Sequence, residues 1–251
     1  MKPSFKAVFF ALFFTCTITL FSSCKSYPAS IDANNVITSP DAEISCIEKD
    51  SYFIIKPENN IDSKWSPDNA IIFYPGGLVE YKSYLPLMEK FAKEGVMCIL
   101  VKMPFDFAFL DFRAAGRFIK LYPEVENWYM AGHSLGGAMA ASYVSRHPKD
   151  FKGLILLAAY STHNISKKDV KVLSIYGSND GVLNRKHYQK YLKNLPPVGQ
   201  GLTEIIIDGG NHSQFACYGA QKHDYMPEIT WQEQQSITAQ EFTAWVKDGE
   251  K

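Results

Sequence analysis

Cysteine is scarce in this 251-residue chain, charge of one sign has no surplus, and no apolar run reaches the length of a membrane-spanning helix. Each shortage excludes something. Lys plus Arg and Asp plus Glu stand at 26 each, so the chain lacks the basic excess that draws a protein to nucleic acid, and no nucleic-acid partner is expected. Five cysteines are too few for a disulfide-built scaffold of this length. Cys16 and Cys24 lie near the N-terminus, and Cys98 sits inside the apolar run Val96 to Val101, where a small buried thiol is the plain reading. Cys46 and Cys217 remain as a pairing that the sequence neither requires nor forbids. The stretch Ala7 to Phe21 is uncharged, but it falls short of the roughly 20 residues a membrane helix needs.

That stretch has the form of an export signal instead. Lys2 and Lys6 precede it, as the charged and apolar regions of a secretory leader require. Phe21-Ser22-Ser23-Cys24 then resembles the lipobox of bacterial lipoproteins, departing from it in having Phe21 where Leu is usual. The resemblance implies a lipid on Cys24, with residues 1–23 as signal peptide, 24–42 as a lipid-anchored tether and 43–251 as the folded domain. It implies an exported protein on the bacterial cell membrane, facing outside the cytoplasm and touching the membrane through the anchor only; plain secretion or a periplasmic location is the alternative. The polar segment from Lys25 to about Asp41, rich in Ser, Pro and Asn, suits a tether.

With 46% hydrophobic and 21% charged residues, the rest can bury one sizeable core. Short apolar strands alternate with amphipathic helices. Strands are expected within Glu43 to Lys56 and at Ala70 to Tyr74, Val96 to Val101, Asn127 to Ala131, Gly153 to Ala158, Val170 to Tyr176 and Leu202 to Asp208. Helices are expected from about Tyr84 to Lys93, Phe107 to Leu121, Leu135 to Arg146, Arg185 to Leu192 and Trp231 to Val246. The alternation predicts an α/β fold, a doubly wound, mostly parallel sheet covered on both faces. Between the strand ending near Ala158 and the one starting at Val170 only about a dozen residues intervene, too few for a helical cap domain. The site should therefore be open, narrowed by loops such as Met103 to Phe109 and Ala216 to Glu228.

Gly132-His133-Ser134-Leu135-Gly136 spells G-x-S-x-G between a buried strand and a small-residue helix, the setting of a nucleophile elbow. A serine hydroxyl needs a base to take its proton and an acid to orient that base, and in open α/β sheets such groups gather beyond the carboxyl ends of strands. Asp180 follows the strand ending at Tyr176, and His212 follows the strand ending near Asp208. Asp180 alone reads as a residue of an Asn-Asp-Gly turn; the serine and histidine beside it give it the acid's role. His133 lies inside the elbow and reads as packing or support for the base, and Asp208 as a group that steadies the His212 loop. The negative oxygen of an acyl-transfer intermediate needs donors. The backbone N–H of Leu135, just after the serine, is one; Gly77 is the first choice for the other and Leu78 the second. Met103, Phe105, Phe107 and Phe215 are candidates to line the substrate pocket. His212, His223 and Asp224 match no metal-binding spacing, and no metal is expected.

From about Asp50 onward the chain resembles the α/β-hydrolase superfamily, in particular its compact single-domain, esterase-like members. The resemblance rests on four segments: Tyr74-Pro75-Gly76-Gly77-Leu78-Val79-Glu80, Gly132-His133-Ser134-Leu135-Gly136-Gly137, Tyr176-Gly177-Ser178-Asn179-Asp180-Gly181 and Gly209-Gly210-Asn211-His212. They look like that group's oxyanion loop, elbow, acid turn and histidine loop. The group includes dienelactone hydrolases, which use cysteine where Ser134 stands here. The resemblance implies a Ser134, Asp180, His212 triad, no cofactor, and hydrolysis of a small acyl substrate, a carboxylic ester first, through an acyl-enzyme on Ser134. Two rivals stand beside it: a catalytically silent binding lipoprotein on the same fold, and an acyltransferase or amidase using the same triad.

Overall fold

The computed structural model describes residues 26–58 and 69–249; the expected signal peptide, 1–23, and Cys24 lie outside the described residues. Eight strands, β1 (Ile44–Lys49), β2 (Tyr52–Pro57), β3 (Asn69–Tyr74), β4 (Met97–Val101), β5 (Asn127–His133), β6 (Gly153–Leu157), β7 (Lys171–Gly177) and β8 (Leu202–Ile207), form one sheet in the order β1-β2-β4-β3-β5-β6-β7-β8. The β1–β2 hairpin and the β2–β4 pair run antiparallel. From β4 to β8 every pairing is parallel, as the strand and helix alternation predicts.

Strand side chains alternate between two cores, as a period of two requires. Ile71, Phe73, Ile155 and Leu157 face one layer with α2 (Leu85–Lys93) and α6 (Trp231–Gly249), where Phe91 meets Phe242 edge to face at 5.4 Å. Ala70, Ile72, Tyr74, Leu154 and Leu156 face the other, with α3 (Ala115–Leu121) and α4 (Leu135–Arg146). Both faces are covered, which is why β3, β4 and β6 read as continuous apolar runs. The helix α5 (Arg185–Tyr191) is capped by Asn184, whose side chain accepts from His187 N–H. No helix among the described residues is long and apolar enough to cross a membrane.

Two elements differ from the sequence expectation. The helix expected from Phe107 begins only at Ala115 and is preceded by short 3₁₀ turns at Pro104–Asp106 and Ala108–Leu110. Phe107 is extended, with φ −122° and ψ 109°, and Asp111 lies outside the helical region at φ −143° and ψ 45°, so no α-helix runs through them. The stretch read as a tether is not a free linker from Ser26 onward. Ile31–Thr38 forms α1, N-capped by Ser30, and buries Ala33 and Val36 three residues apart on one face. Ile37, partly buried, packs against the same core.

Candidate active site

The carboxyl ends of β3, β5, β7 and β8 meet at one edge of the sheet, and the four segments that follow them carry the chemistry. Ser134 lies between β5 and α4 with φ 52° and ψ −121°, a strained conformation for a residue with a Cβ, costing about 1–3 kcal/mol. Its N–H donates to Leu157 C=O at 2.9 Å. The motif's glycines are required by contact: a Cβ on Gly132 would lie 2.6 Å from the Gly136 backbone, and one on Gly136 would lie 2.1 Å from Tyr74 C=O. The turn thus packs against β3 with no room for side chains, and Ser134 is left half-buried at its apex.

Asp180 and His212, 32 residues apart in sequence, are brought together in a buried pair with Oδ2 2.9 Å from Nδ1. The other carboxylate oxygen accepts from the N–H groups of Val182 at 2.9 Å and Leu183 at 2.7 Å. The acid is therefore fixed before it meets the imidazole. The second ring nitrogen of His212, Nε2, is buried and has no hydrogen-bond partner among the described residues, so it is available to take a proton. Asp208 is exposed; its Oδ1 accepts from Ser178 Oγ at 3.2 Å, and that Oγ accepts from Gly209 N–H at 2.8 Å, bracing acid turn and histidine loop together.

Two side chains that sequence reasoning missed hold the same loops. Asp224 Oδ1 accepts from the N–H groups of Gly181 and His212 at 3.1 and 3.2 Å, and its Oδ2 from that of Ser213 at 2.9 Å. The fully buried Gln234 accepts from Asn211 N–H and donates to Asn211 C=O, at 2.9 and 2.8 Å. His223 takes no part beyond its backbone, and among the described residues no cluster of His, Cys, Asp and Glu is arranged to hold a metal ion.

The oxyanion candidates separate cleanly. Gly77 N–H makes no hydrogen bond among the described residues, and a Cβ there would come within 2.8 Å of Leu135 Cδ2, so the two first-choice residues are in contact. Leu135 opens α4, where the early N–H groups lack intrahelical acceptors and the helix dipole favours negative charge. Leu78, the second choice, is corrected: its N–H donates to Asp106 C=O at 2.9 Å. Gly76 N–H is likewise committed, to Tyr84 OH at 2.9 Å.

The pocket candidates fare unevenly. Met103 and Phe215 are buried in the two cores, Phe107 packs on Phe109 at 5.0 Å between ring centres, and Phe105 is 84% exposed. Phe215 instead supports the site from beneath, its ring 5.6 Å from that of His133. Cys46, Cys98 and Cys217 are free thiols. Burial pushes the Cys46 thiol up to about 11 and that of Cys217 up to about 12, so both stay protonated and unreactive at neutral pH.

His133 supports the site as its position suggested. Its ring lies 4.5 Å from that of His212, and Nδ1 is 2.8 Å from Tyr84 OH. That hydroxyl also accepts from Gly76 N–H, and Nε2 of His133 is buried with no hydrogen-bond partner among the described residues. Burial first, and His212 second, hold His133 well below the usual histidine value of 6.5. A histidine held neutral in the fold but free to charge when unfolded costs nothing above its unfolded pKa and destabilises the fold as pH falls below about 6.5, by up to about 1.4 kcal/mol per pH unit. Urea midpoints measured from pH 7.5 to 5.5 should therefore fall more steeply in the wild type than in His133→Asn, whose amide does not titrate; equal slopes would refute the assignment.

Comparison with known proteins adds three findings. The profile of a family described as "Alpha/beta hydrolase family" matches residues 70–236, which span all four site segments. Among solved structures, Est1E from Butyrivibrio proteoclasticus superposes with a TM-score of 0.56 at 16% identity, covering 81% of this chain and 98% of its own; at that identity the likeness concerns the fold. No curated protein matches the chain in sequence.

Proposed function

Because the chain belongs to the alpha/beta hydrolase family, we propose that it is a serine hydrolase cleaving a carboxylic ester of a small substrate through an acyl-enzyme on Ser134. The observation that carries this reading is the buried Asp180–His212 pair at 2.9 Å with an unpartnered Nε2. In the first step His212 Nε2 takes the Ser134 hydroxyl proton as Oγ attacks the substrate carbonyl carbon. Asp180 keeps the Nδ1 proton in place and stabilises the imidazolium. The carbonyl oxygen, now negative, is received by the N–H groups of Gly77 and Leu135. His212 then gives its proton to the departing alcohol, and water attacks the acyl-enzyme by the same route, releasing the acid and restoring Ser134. No cofactor enters these steps.

The test is intact mass after exposure to a reactive fluorophosphonate. One adduct per chain, absent from Ser134→Ala, is the expected result. No adduct on folded protein would replace this reading with the binding lipoprotein. An amidase or acyltransferase would label equally, and is told apart by its products with and without an added acceptor amine or alcohol.

Export and lipidation of Cys24 are proposed with it, on the strength of the lipobox-like Phe21-Ser22-Ser23-Cys24. Cys24→Ser should release the protein from the membrane fraction on expression in a bacterium that processes lipoproteins. Unchanged partition would refute the lipid.

A further inference from the structure

The end of the sheet that bears the site also bears five of the ten large exposed apolar side chains among the described residues. The loop after β4 presents Phe105 at 84%, Phe109 at 46% and Leu110 at 48% exposure, and the loop before α6 presents Tyr225 at 67% and Met226 at 83%. Both loops border the site directly. Leu78 N–H bonds Asp106 C=O at 2.9 Å on one side. On the other, Asn179 donates to Met226 C=O at 3.2 Å and Asn211 to Tyr225 C=O at 2.9 Å. Phe105 is held outward by a backbone that is itself strained, with positive φ at both Phe105 and Asp106, a conformation that costs about 1–3 kcal/mol per residue and persists only where it is enforced. Apolar side chains grouped along one edge in this way mark a contact surface.

The chain itself says what covers it. The described residues begin at Ser26, and Ser26 lies on this rim: its Oγ bonds Leu78 C=O at 3.1 Å and Asp106 Oδ2 at 2.5 Å. Tyr27 pairs with Val79 as a parallel bridge, its N–H donating to Leu78 C=O at 2.7 Å and its C=O accepting from Glu80 N–H at 2.9 Å. The N-terminal segment is thus stitched to the loop that supplies Gly77. Cys24 is two residues from Ser26, a reach of at most about 7 Å along the chain, and the apolar run Ala7 to Phe21 ends just before it. A lipid on Cys24 would bring a bilayer to this edge.

We propose that the rim formed by Phe105, Phe109, Leu110, Tyr225 and Met226 docks on the surface of the lipid bilayer to which the chain is anchored, and that the ester hydrolysed at Ser134 is one held in that bilayer. The substrate part rests on the serine hydrolase reading, and the docking part on the membrane anchor proposed with it. An acyl chain leaving the membrane then enters the site along apolar side chains without crossing water, which spares the desolvation reversal of a long hydrocarbon tail.

The full chain reconstituted in phosphatidylcholine–phosphatidylglycerol vesicles tests both parts. An environment-sensitive fluorophore on Met226→Cys, in a Cys46→Ala background, should be quenched by nitroxide-bearing lipids. The same label on Lys149→Cys, by the groove at the opposite end of the sheet, should not. Equal quenching at both sites, or none at 226, overturns the docking. For the substrate, Leu110→Ser with Met226→Ser should lower turnover of a long-chain ester dispersed in the vesicles by about tenfold or more. Turnover of a short, water-soluble ester should change less than about twofold, since neither side chain belongs to the catalytic groups. Unchanged vesicle turnover, or an equal loss on both esters, overturns the substrate assignment. If the wild type hydrolyses neither ester, the hydrolase reading and with it the substrate assignment fail, while quenching still decides the docking.

Discussion

Asp180→Asn is expected to slow reaction at Ser134 by about 10⁴-fold while leaving the fold in place. The reason lies in how the carboxylate is held. Its Oδ1 accepts from two backbone N–H groups, those of Val182 and Leu183, and only Oδ2 faces His212 Nδ1. An asparagine must keep its carbonyl oxygen toward those two donors, because an NH₂ group turned there would leave both amides buried and unpaired, at about 1–3 kcal/mol each. Its NH₂ group then points at His212 Nδ1. A donor at that position obliges Nδ1 to accept, so the imidazole proton moves to Nε2, and the nitrogen that should take the serine proton already carries one. The side chain is nearly isosteric and keeps its amide contacts, so the thermal midpoint should shift by only a few degrees. The rate of fluorophosphonate labelling at pH 7.5 reads the chemistry without requiring the natural substrate. A labelling rate within tenfold of wild type would show that Asp180 is a turn residue and that another group orients His212.

The legible part of this site is the part written in local sequence. The elbow needs glycines two positions either side of the serine, and contact with Tyr74 and with each other is what demands them. Asp180 and His212 each follow a strand end, and strand ends are visible as the last apolar residue before a polar turn. The supporting side chains are not local. Asp224 reaches back to Gly181, 43 residues earlier, and Tyr84 reaches His133, 49 residues later; nothing near either residue announces its partner. Leu78 fails as an oxyanion donor for a similar reason, since the acceptor that takes its N–H belongs to a loop 28 residues on whose backbone is left-handed at non-glycine positions. No residue propensity predicts such a loop. The helix Ile31–Thr38 was hidden by its shortness: eight residues are marginal as an isolated helix, and Ala33, Val36 and Ile37 with one serine cap suffice only once a folded surface is present to receive them.

Gly136→Ala should cost at least about 3 kcal/mol of stability, the upper range for overpacking a tight interior. Gly136 is the second residue of α4, and the first turn of that helix lies directly on the strand that leads into the oxyanion loop. An added methyl would sit 2.1 Å from Tyr74 C=O and 2.3 Å from Pro75 C=O. Both are backbone atoms, one of them at the end of a central strand flanked on both sides by parallel neighbours, so neither can rotate away as a side chain would. Relief requires α4 to retreat as a body or the Pro75 to Gly77 segment to bend outward. Either movement separates Gly77 from Leu135 and takes the two oxyanion N–H groups out of register. Stability and labelling should therefore fall together. Gly95→Asn supplies the contrast: φ there is +88° with nothing within 4 Å of the added atom, so that change tests left-handed backbone without collision and should cost less than about 1 kcal/mol. Urea denaturation of the two variants decides the matter. A Gly136→Ala protein within about 1 kcal/mol of wild type, or one that labels at the wild-type rate, would mean that the helix and the oxyanion loop are not locked together, and that the strain at Ser134 is held by its own turn alone.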